Sequence, residues 1–204
     1  MIVYLHGFRS SPQSNKAQRL KARMAALGLG DLFWCGQLPP SPRAAIALAE
    51  RQIAAARAPG APVTVVGSSL GGYYATHLAE KHGLRAVLVN PAVVAHLSLA
   101  EFVGTQTNLY TGEAFEFRPE YLDELRALEV PAISRPQDFL LLAETERRII
   151  QVKGERIYVE TSSRKPYQAT HGFYRARGYQ KEAELADYYA SGDNKVIYSK
   201  LLSP

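Results

Sequence analysis

The chain has 204 residues, of which 47% are hydrophobic and 21% are charged, as in ordinary globular proteins. This length suffices for one well-buried α/β domain and is too short for two domains of ordinary size. No apolar run approaches the roughly 18 to 20 residues that a membrane-spanning helix needs, so we expect no membrane partner.

The formal net charge of +5 is unevenly distributed along the chain. Residues 1–145 carry 13 Lys and Arg against 12 Asp and Glu, whereas residues 146–204 carry 11 against 7. The excess positive charge therefore lies in the tail, where it is scattered rather than clustered. This pattern favours a solvated basic face and predicts no nucleic-acid partner.

Cys35 is the single cysteine, so no internal disulfide can form. Because no Cys or His stands at metal-ligand spacing around it, we expect no metal site and no cofactor, and a place in the core for Cys35. Met1 leads directly into the strand-like run from Ile2 to Leu5, without the features of a secretory signal. The expected location is the cytoplasm.

The first 91 residues alternate strand and helix patterns. In the second helix, Ser41 is placed to cap the first turn and Pro42 to occupy the first helical position. Strands are expected at residues 2–5, 32–35, 63–66 and 85–89, and helices at residues 15–27, 42–58 and 73–82. This alternation predicts a doubly wound, mostly parallel sheet with helices on both faces and an active site at the carboxyl ends of its strands.

A Gly-x-Ser-x-Gly segment, from Gly67 to Gly71, joins the third strand to the third helix. A serine on such a tight turn adopts a positive φ, and the residues two positions before and after it must lack a Cβ. This layout predicts a nucleophile elbow with Ser69 held clear of the sheet. The N–H of Leu70 and the start of the following helix would then face an oxyanion.

Residues 96–117 interrupt the alternation with loop-forming residues and interspersed aromatics. In a hydrolase, a lid or an acyl pocket would be inserted at this point. A helix over residues 119–128 and a strand over residues 139–142 then resume the pattern.

Several of these segments resemble the YqiA-type esterases of the α/β-hydrolase superfamily. They are Tyr4-Leu5-His6-Gly7-Phe8, Gln37-Leu38-Pro39-Pro40, Val66 to Ala75, Val89-Asn90-Pro91-Ala92-Val93, Tyr110-Thr111-Gly112 and Asp138 to Leu142. The resemblance covers about residues 1–145, the expected esterase domain. It implies hydrolysis of a small carboxylic ester, with Ser69 as nucleophile and the N–H groups of Phe8 and Leu70 as oxyanion hole.

The tail departs from that family. After Leu142 the family would show Thr-Gly-Asp-Glu and later Gly-Gly-x-His, which carry the acid and the base, and neither occurs here. Residues 146–204 are instead similar to the carboxyl-terminal half of GNAT N-acetyltransferases, in which the residue matching Tyr174 often protonates the leaving thiolate. This resemblance implies a strand-helix-strand segment, which we expect to pack on the same sheet. The pyrophosphate-binding loop of that family is missing.

Chain order in α/β-hydrolases is Ser, then Asp or Glu, then His, and the base needs a pKa near 7. His171 alone among the five histidines follows the expected acid strand, while His77 and His82 suit packing or solvent roles. The closest match to the family's acid is Glu146. The catalytic residues expected are therefore Ser69, Glu146 and His171, with weak hydrolysis if the last two do not complete a triad. The alternatives are a remnant N-acetyltransferase and a non-catalytic binding protein of the same fold.

Overall fold

The computed structural model describes residues 1–57, 60–92, 94–135, 138–140, 155–164 and 167–202. The chain divides into two compact units, Met1–Leu140 and Leu141–Pro204. The domain boundary predicted between residues 145 and 146 lies outside the described residues and stays a prediction. The expected packing of the tail on the central sheet also stays a prediction.

A sheet of five parallel strands forms the centre of the first unit, in the order β2-β1-β3-β4-β7. The strands are β1 (Ile2–Leu5), β2 (Phe33–Trp34), β3 (Thr64–Ser68), β4 (Arg85–Val89) and β7 (Phe139–Leu140). In this register, Leu5 lies beside Gly67 at the carboxyl ends of β1 and β3. The parallel order confirms the predicted sheet.

Both faces of the sheet are covered. Val3 and Val65 are completely buried on one face. Tyr4 and Val66, which alternate with them, form a cluster with Ala17 on the other face. Near-continuous β-branched and apolar strands are typical of a parallel sheet that is buried on both sides. This arrangement confirms the doubly wound, α/β-hydrolase-like fold predicted from the sequence.

Five α-helices lie among the described residues of the first unit. They are α1 (Asn15–Ala26), α2 (Pro42–Arg57), α3 (Leu70–His82), α4 (Ala95–Ser98) and α5 (Glu120–Ala127). The helix predicted over residues 73–82 begins at Leu70, directly after Ser69, and Gly83 ends it in the left-handed conformation with φ 65°. The elbow therefore leads into the helix without an intervening loop.

The strand order reverses its direction between β1 and β3. From β1 the chain moves outward to β2, and it then returns to the opposite side for β3, β4 and β7. In open α/β sheets, the crevice at such a switch point is where ligands bind. The carboxyl ends of β1 and β3 carry the His6-Gly7-Phe8 turn and Ser69, respectively.

Cys35 follows β2, which is an edge strand. The expectation of a core position was wrong, because Cys35 is only partly buried and packs against the cluster of Tyr4, Ala17 and Val66. Burial nevertheless raises the pKa of the Cys35 thiol to about 11. The thiol is therefore protonated at neutral pH.

The insertion predicted as a lid or pocket is an antiparallel hairpin of β5 (Gly104–Thr107) and β6 (Ala114–Phe117). A 3-10 helix, Ala100–Phe102, precedes it. Phe117 is almost completely buried, and its ring centroid lies 5.0 Å from that of Phe8. The hairpin therefore packs on the turn that follows β1.

His6 connects the carboxyl ends of β1 and β2. Its Nε2 accepts a hydrogen bond from the backbone N–H of Leu38 (3.0 Å), and its Nδ1 lies 3.0 Å from the carbonyl oxygen of Gly7. Because a carbonyl only accepts, the hydrogen is on Nδ1 and the ring is neutral. Burial lowers the pKa of His6 below its ordinary value of 6.5.

The second unit contains a three-stranded antiparallel sheet in the order β8-β10-β9. Its elements are β8 (Arg156–Ser162), α6 (Gln168–Ala176), β9 (Gln180–Ala190) and β10 (Asp193–Leu201). Ile157, Tyr179, Val196 and Tyr198 form its buried cluster. The predicted strand-helix-strand order is confirmed, and a further strand completes the sheet.

None of the helices in the described ranges has the length and apolar character needed to span a lipid bilayer.

The start of α2 depends on a carboxylate from α5. Oε2 of Glu124 accepts hydrogen bonds from the Ser41 hydroxyl (2.8 Å) and the Arg43 N–H (2.9 Å), while Ser41 Oγ accepts one from the Ala44 N–H (3.2 Å). We expect Glu124→Ala to lower the free energy of unfolding by about 1–2 kcal/mol, because these donors lose their acceptor. Glu120→Ala, an exposed carboxylate on the same helix, should cost less than about 0.5 kcal/mol in urea denaturation. Equal effects would contradict the capping role.

The neutral ring of His6 predicts a pH dependence of stability. Since folding lowers its pKa, the unfolded chain takes up the proton more readily. The contribution of His6 should be complete above pH 6.5 and be lost as the pH falls through the folded value. We expect the difference in unfolding free energy between the wild type and His6→Gln to shrink between pH 8 and pH 5. Denaturation curves at four pH values would measure it, and a constant difference would refute the assignment.

Candidate active site

Ser69 occupies a strained turn between β3 and α3. Its φ is 54° and its ψ is −121°, a region that few residues other than glycine adopt. The Ser69 N–H donates to the carbonyl oxygen of Val89 (3.1 Å), and the Ser69 carbonyl accepts from the N–H groups of Gly72 (2.8 Å) and Ala92 (3.0 Å). The positive φ predicted for Ser69 is therefore present, and hydrogen bonds of both its N–H and its carbonyl group hold it.

The glycines on either side of the turn permit its close approach to β1. A Cβ on Gly71 would lie 2.0 Å from the carbonyl oxygen of Leu5, and a Cβ on Gly67 would lie 2.1 Å from that of Gly71. Neither contact is possible for a real side chain, and the atoms involved are backbone. This confirms why both positions must lack a Cβ.

The Ser69 side chain does not cap the helix that it precedes. A serine before the first helical residue commonly accepts a hydrogen bond from the helix, but Ser69 makes no such bond. Its side chain is exposed, whereas Ser68 and Leu70 on either side are buried. A Cβ on Gly7 would lie 3.7 Å from Ser69 Oγ, so the turn after β1 faces the hydroxyl.

Two backbone N–H groups are available beside this hydroxyl. Those of Phe8 and Leu70 donate to no acceptor among the residues that the structure describes. Leu70 is the first residue of α3, so its N–H has no partner within the helix, and the positive end of the helix dipole lies there. Both groups predicted as oxyanion donors therefore belong to the segments that surround Ser69.

A cavity of about 660 Å³ opens next to the elbow. Residues 6–10, 37–40 and 113–115 line it, together with Leu70, Tyr74 and Asn108. Its wall combines apolar side chains with a few polar ones, as in pockets for small molecules. Burial raises the pKa of Tyr74, so its hydroxyl stays protonated.

The base predicted in the tail already has two partners. His171 is buried, with Nδ1 2.8 Å from the Tyr198 hydroxyl and Nε2 3.0 Å from the carbonyl oxygen of Ser162. Because that carbonyl only accepts, Nε2 carries a hydrogen, and in the neutral ring Nδ1 then accepts from the Tyr198 hydroxyl. The catalytic role of His171 stays a prediction. Glu146, the predicted acid, lies outside the described residues.

Two further histidines of the first unit, His77 and His82, have hydrogen-bonding partners of their own. Nδ1 of His77 lies 3.2 Å from the Leu128 carbonyl oxygen, and Nε2 of His82 lies 2.7 Å from a Glu50 carboxylate oxygen. These contacts agree with the packing and solvent roles predicted for both. In the part of the chain that the structure describes, no group of three His, Cys, Asp or Glu residues could bind one metal ion.

The sequence did not predict several residues of the cavity wall. Arg9, Gln37 and Asn108 line it, and each lies in a segment without helical or strand periodicity. Asn108 is buried, and its side-chain amide donates to the carbonyl oxygen of Ser10 (2.9 Å). The available signals were the Gln37-Leu38-Pro39-Pro40 and Tyr110-Thr111-Gly112 segments, which matched the family without indicating that they would line a cavity.

Two solved structures resemble parts of the chain. A GNAT-family protein from Desulfovibrio desulfuricans is 28% identical, with a TM-score of 0.30 over 43% of this chain and 48% of that protein. Alpha/beta hydrolase domain-containing protein 10 from mouse is 17% identical, with a TM-score of 0.40 over 63% of this chain and 61% of that protein. The chain thus spans about half the length of the first and three fifths of the second.

A family match covers most of the chain, including every residue of the elbow and the cavity wall. Residues 1–178 match the Uncharacterised protein family (UPF0227). The motifs around Ser69 and the parallel sheet that carries them lie within this range. The chain therefore belongs to this family, that of the YqiA-type esterases, and is a protein of the α/β-hydrolase fold.

Proposed function

We propose that this protein is a serine hydrolase that acts on short-chain carboxylic esters, with Ser69 as the nucleophile. One observation carries the proposal: the Ser69 backbone is strained to φ 54° at the tip of β3, and its hydroxyl faces the Gly7 turn. Strain of this kind persists only where the surrounding structure enforces it, and it is concentrated at functional sites.

In the proposed reaction, Ser69 Oγ attacks the carbonyl carbon of the ester. The Oγ–C bond forms, the carbonyl π electrons move to its oxygen, and the hydroxyl proton passes to a general base. The tetrahedral intermediate then expels the alcohol, which takes the proton back, and leaves an acyl group on Ser69. Water, activated by the same base, releases the acid and restores the hydroxyl.

The oxyanion of the intermediate would lie between the N–H groups of Phe8 and Leu70. Donors of this kind are fixed before the reaction begins, so they stabilise the developing charge without having to reorganise. The neutral His6 ring and the hairpin fix the Phe8 segment, and α3 fixes Leu70. Removing one such donor typically costs about 10²–10³ in turnover.

The base and acid of the proposal are His171 and Glu146, on the ground of chain order. His171 can accept the serine proton only if Nδ1 gives up the Tyr198 hydroxyl or the ring exchanges its bond to Ser162. Loss of a triad member typically costs about 10⁴–10⁶ in turnover. Without this base the elbow would therefore bind esters and hydrolyse them slowly.

The role of Ser69 can be tested on the neutral ester 4-nitrophenyl butyrate. We expect Ser69→Ala to lower turnover at least about 10³-fold, because the nucleophile is lost. It should also abolish labelling by a fluorophosphonate, which the wild type should undergo. Ser68→Ala, which removes the neighbouring buried hydroxyl, should retain turnover and labelling. Equal rates for the wild type and Ser69→Ala would refute the proposal.

The role of His171 needs a test that separates catalysis from stability. If it is the base, His171→Ala should lower turnover by about 10⁴-fold, whereas Tyr198→Phe, which keeps the imidazole, should retain most of it. Both variants should lose about 1–3 kcal/mol of stability, because a buried hydrogen bond is broken. Turnover and denaturation would be measured on the same samples. Unchanged turnover in a folded His171→Ala variant would leave His171 with a structural role alone.

A further inference from the structure

Arg9 is fixed in the wall of the cavity beside Ser69. It follows the oxyanion turn by one residue and is the second non-glycine residue at the site with a positive φ, 56°. Its Nε donates to the Thr107 carbonyl oxygen (3.0 Å), and its own carbonyl oxygen accepts from the Leu109 N–H (2.8 Å). The backbone and the inner part of the guanidinium are therefore both held by the hairpin.

The outer edge of this guanidinium is free to bind a ligand. With Nε committed to Thr107, the two terminal nitrogens still present the paired donors that match a carboxylate. No carboxylate among the described residues lies within 4.0 Å of Arg9. The side chain is nevertheless partly buried in the cavity wall. A partly desolvated cation without a counter-ion favours binding of an anion.

Glu113 is the other charged residue in the cavity wall. Its side chain is exposed, and its Oε2 accepts a hydrogen bond from the Thr111 hydroxyl (3.2 Å) within the same turn. It therefore does not neutralise Arg9. Its charge opposes an anion that enters the cavity, so its removal should strengthen anion binding.

The backbone of Arg9 lies close to the nucleophile. Arg9 is two positions after Gly7 along the chain, so their Cα atoms are at most about 7 Å apart. Gly7 in turn lies against Ser69. Arg9 therefore borders the space next to Ser69, and an ester whose carbonyl is at Ser69 could carry a second group toward the guanidinium.

Building on the proposed function, we propose that Arg9 is a specificity residue that selects esters bearing an anionic carboxylate. The carboxylate lies on the acyl part or on the alcohol part, within a few bonds of the scissile carbonyl. Arg9 binds it through its terminal nitrogens, while Nε remains on Thr107. The Phe8 and Phe115 rings and the Leu38 side chain contact the apolar segment between the two groups.

The test compares three esters of similar size. 4-Nitrophenyl butyrate is neutral, the 4-nitrophenyl monoester of glutaric acid carries a carboxylate on its acyl part, and the butyrate ester of 4-hydroxybenzoic acid carries one on its alcohol part. Arg9→Gln should lower kcat/KM about 10- to 100-fold for at least one anionic ester, and less than about threefold for the neutral one. Which anionic ester responds identifies the side on which the carboxylate lies.

Three further variants complete the comparison. Arg9→Lys should recover part of the discrimination, because it keeps the charge without the paired donors. Glu113→Gln should raise kcat/KM for the anionic ester. Arg19→Gln, an exposed arginine on α1, is the matched control and should change nothing. If Ser69-dependent hydrolysis of the neutral ester is normal and Arg9→Gln affects all three esters equally, the inference fails while the proposed function stands.

A binding measurement keeps the two proposals separable. The stable amide analogues 4-butyramidobenzoate and butyranilide differ only in the carboxylate, and calorimetric titration can measure their binding whether or not the protein hydrolyses esters. Glutaric acid monoanilide, compared with butyranilide, makes the same test for a carboxylate on the acyl part. The wild type should bind the anionic member of at least one pair more tightly, and Arg9→Gln should abolish that preference. Equal binding within both pairs by the wild type would overturn the inference, even if Ser69 is an active nucleophile.

Discussion

The arrangement of the site depends on the distance between two backbone segments. The turn that carries Ser69 lies so close to the end of β1 that a single methyl group at Gly71 would overlap the Leu5 carbonyl oxygen. This close approach brings the turn after β1 against the serine, where we propose that two amide groups bind the oxyanion. Since backbone atoms make the contact, rotamer changes could not relieve a clash there. The glycines are therefore as necessary to the geometry as the serine.

A second set of contacts fixes the loops around that centre. The neutral His6 ring joins the ends of β1 and β2, and the Phe8 ring packs against Phe102, Phe115 and Phe117 of the insertion. Burying a neutral ring together with its hydrogen bonds avoids the free-energy cost of removing a charge from water. The edge-to-face contacts between the rings add to the stabilisation from buried apolar surface. The cavity wall is thus part of the packed structure of the first unit.

Sequence reasoning was most successful where local chemistry decides the structure. The β-branched run before Gly67 predicted β3, Ser41 and Pro42 predicted the start of α2, and the order of elements predicted the parallel sheet. It placed Cys35 in the core wrongly, because strand order, and hence an edge position, cannot be derived from composition. The sequence did not predict the hairpin or the place of Arg9 in the cavity wall. Their conformations depend on hydrogen bonds to residues about 100 positions away. The hydrogen-bonding partners of His171 could not be predicted from the sequence either, because they come from two different strands.

The attachment of the hairpin has an evolutionary consequence. Thr107 and Asn108, where its turn begins, are hydrogen-bonded to Arg9 and Ser10, while Leu109 and Tyr110 in the turn are exposed. The exposed side chains of this turn can therefore diverge among relatives without disturbing the hydrogen bonds that hold it beside the serine. A scaffold of this kind separates the part of the molecule that must remain constant from the part that can adapt to new compounds.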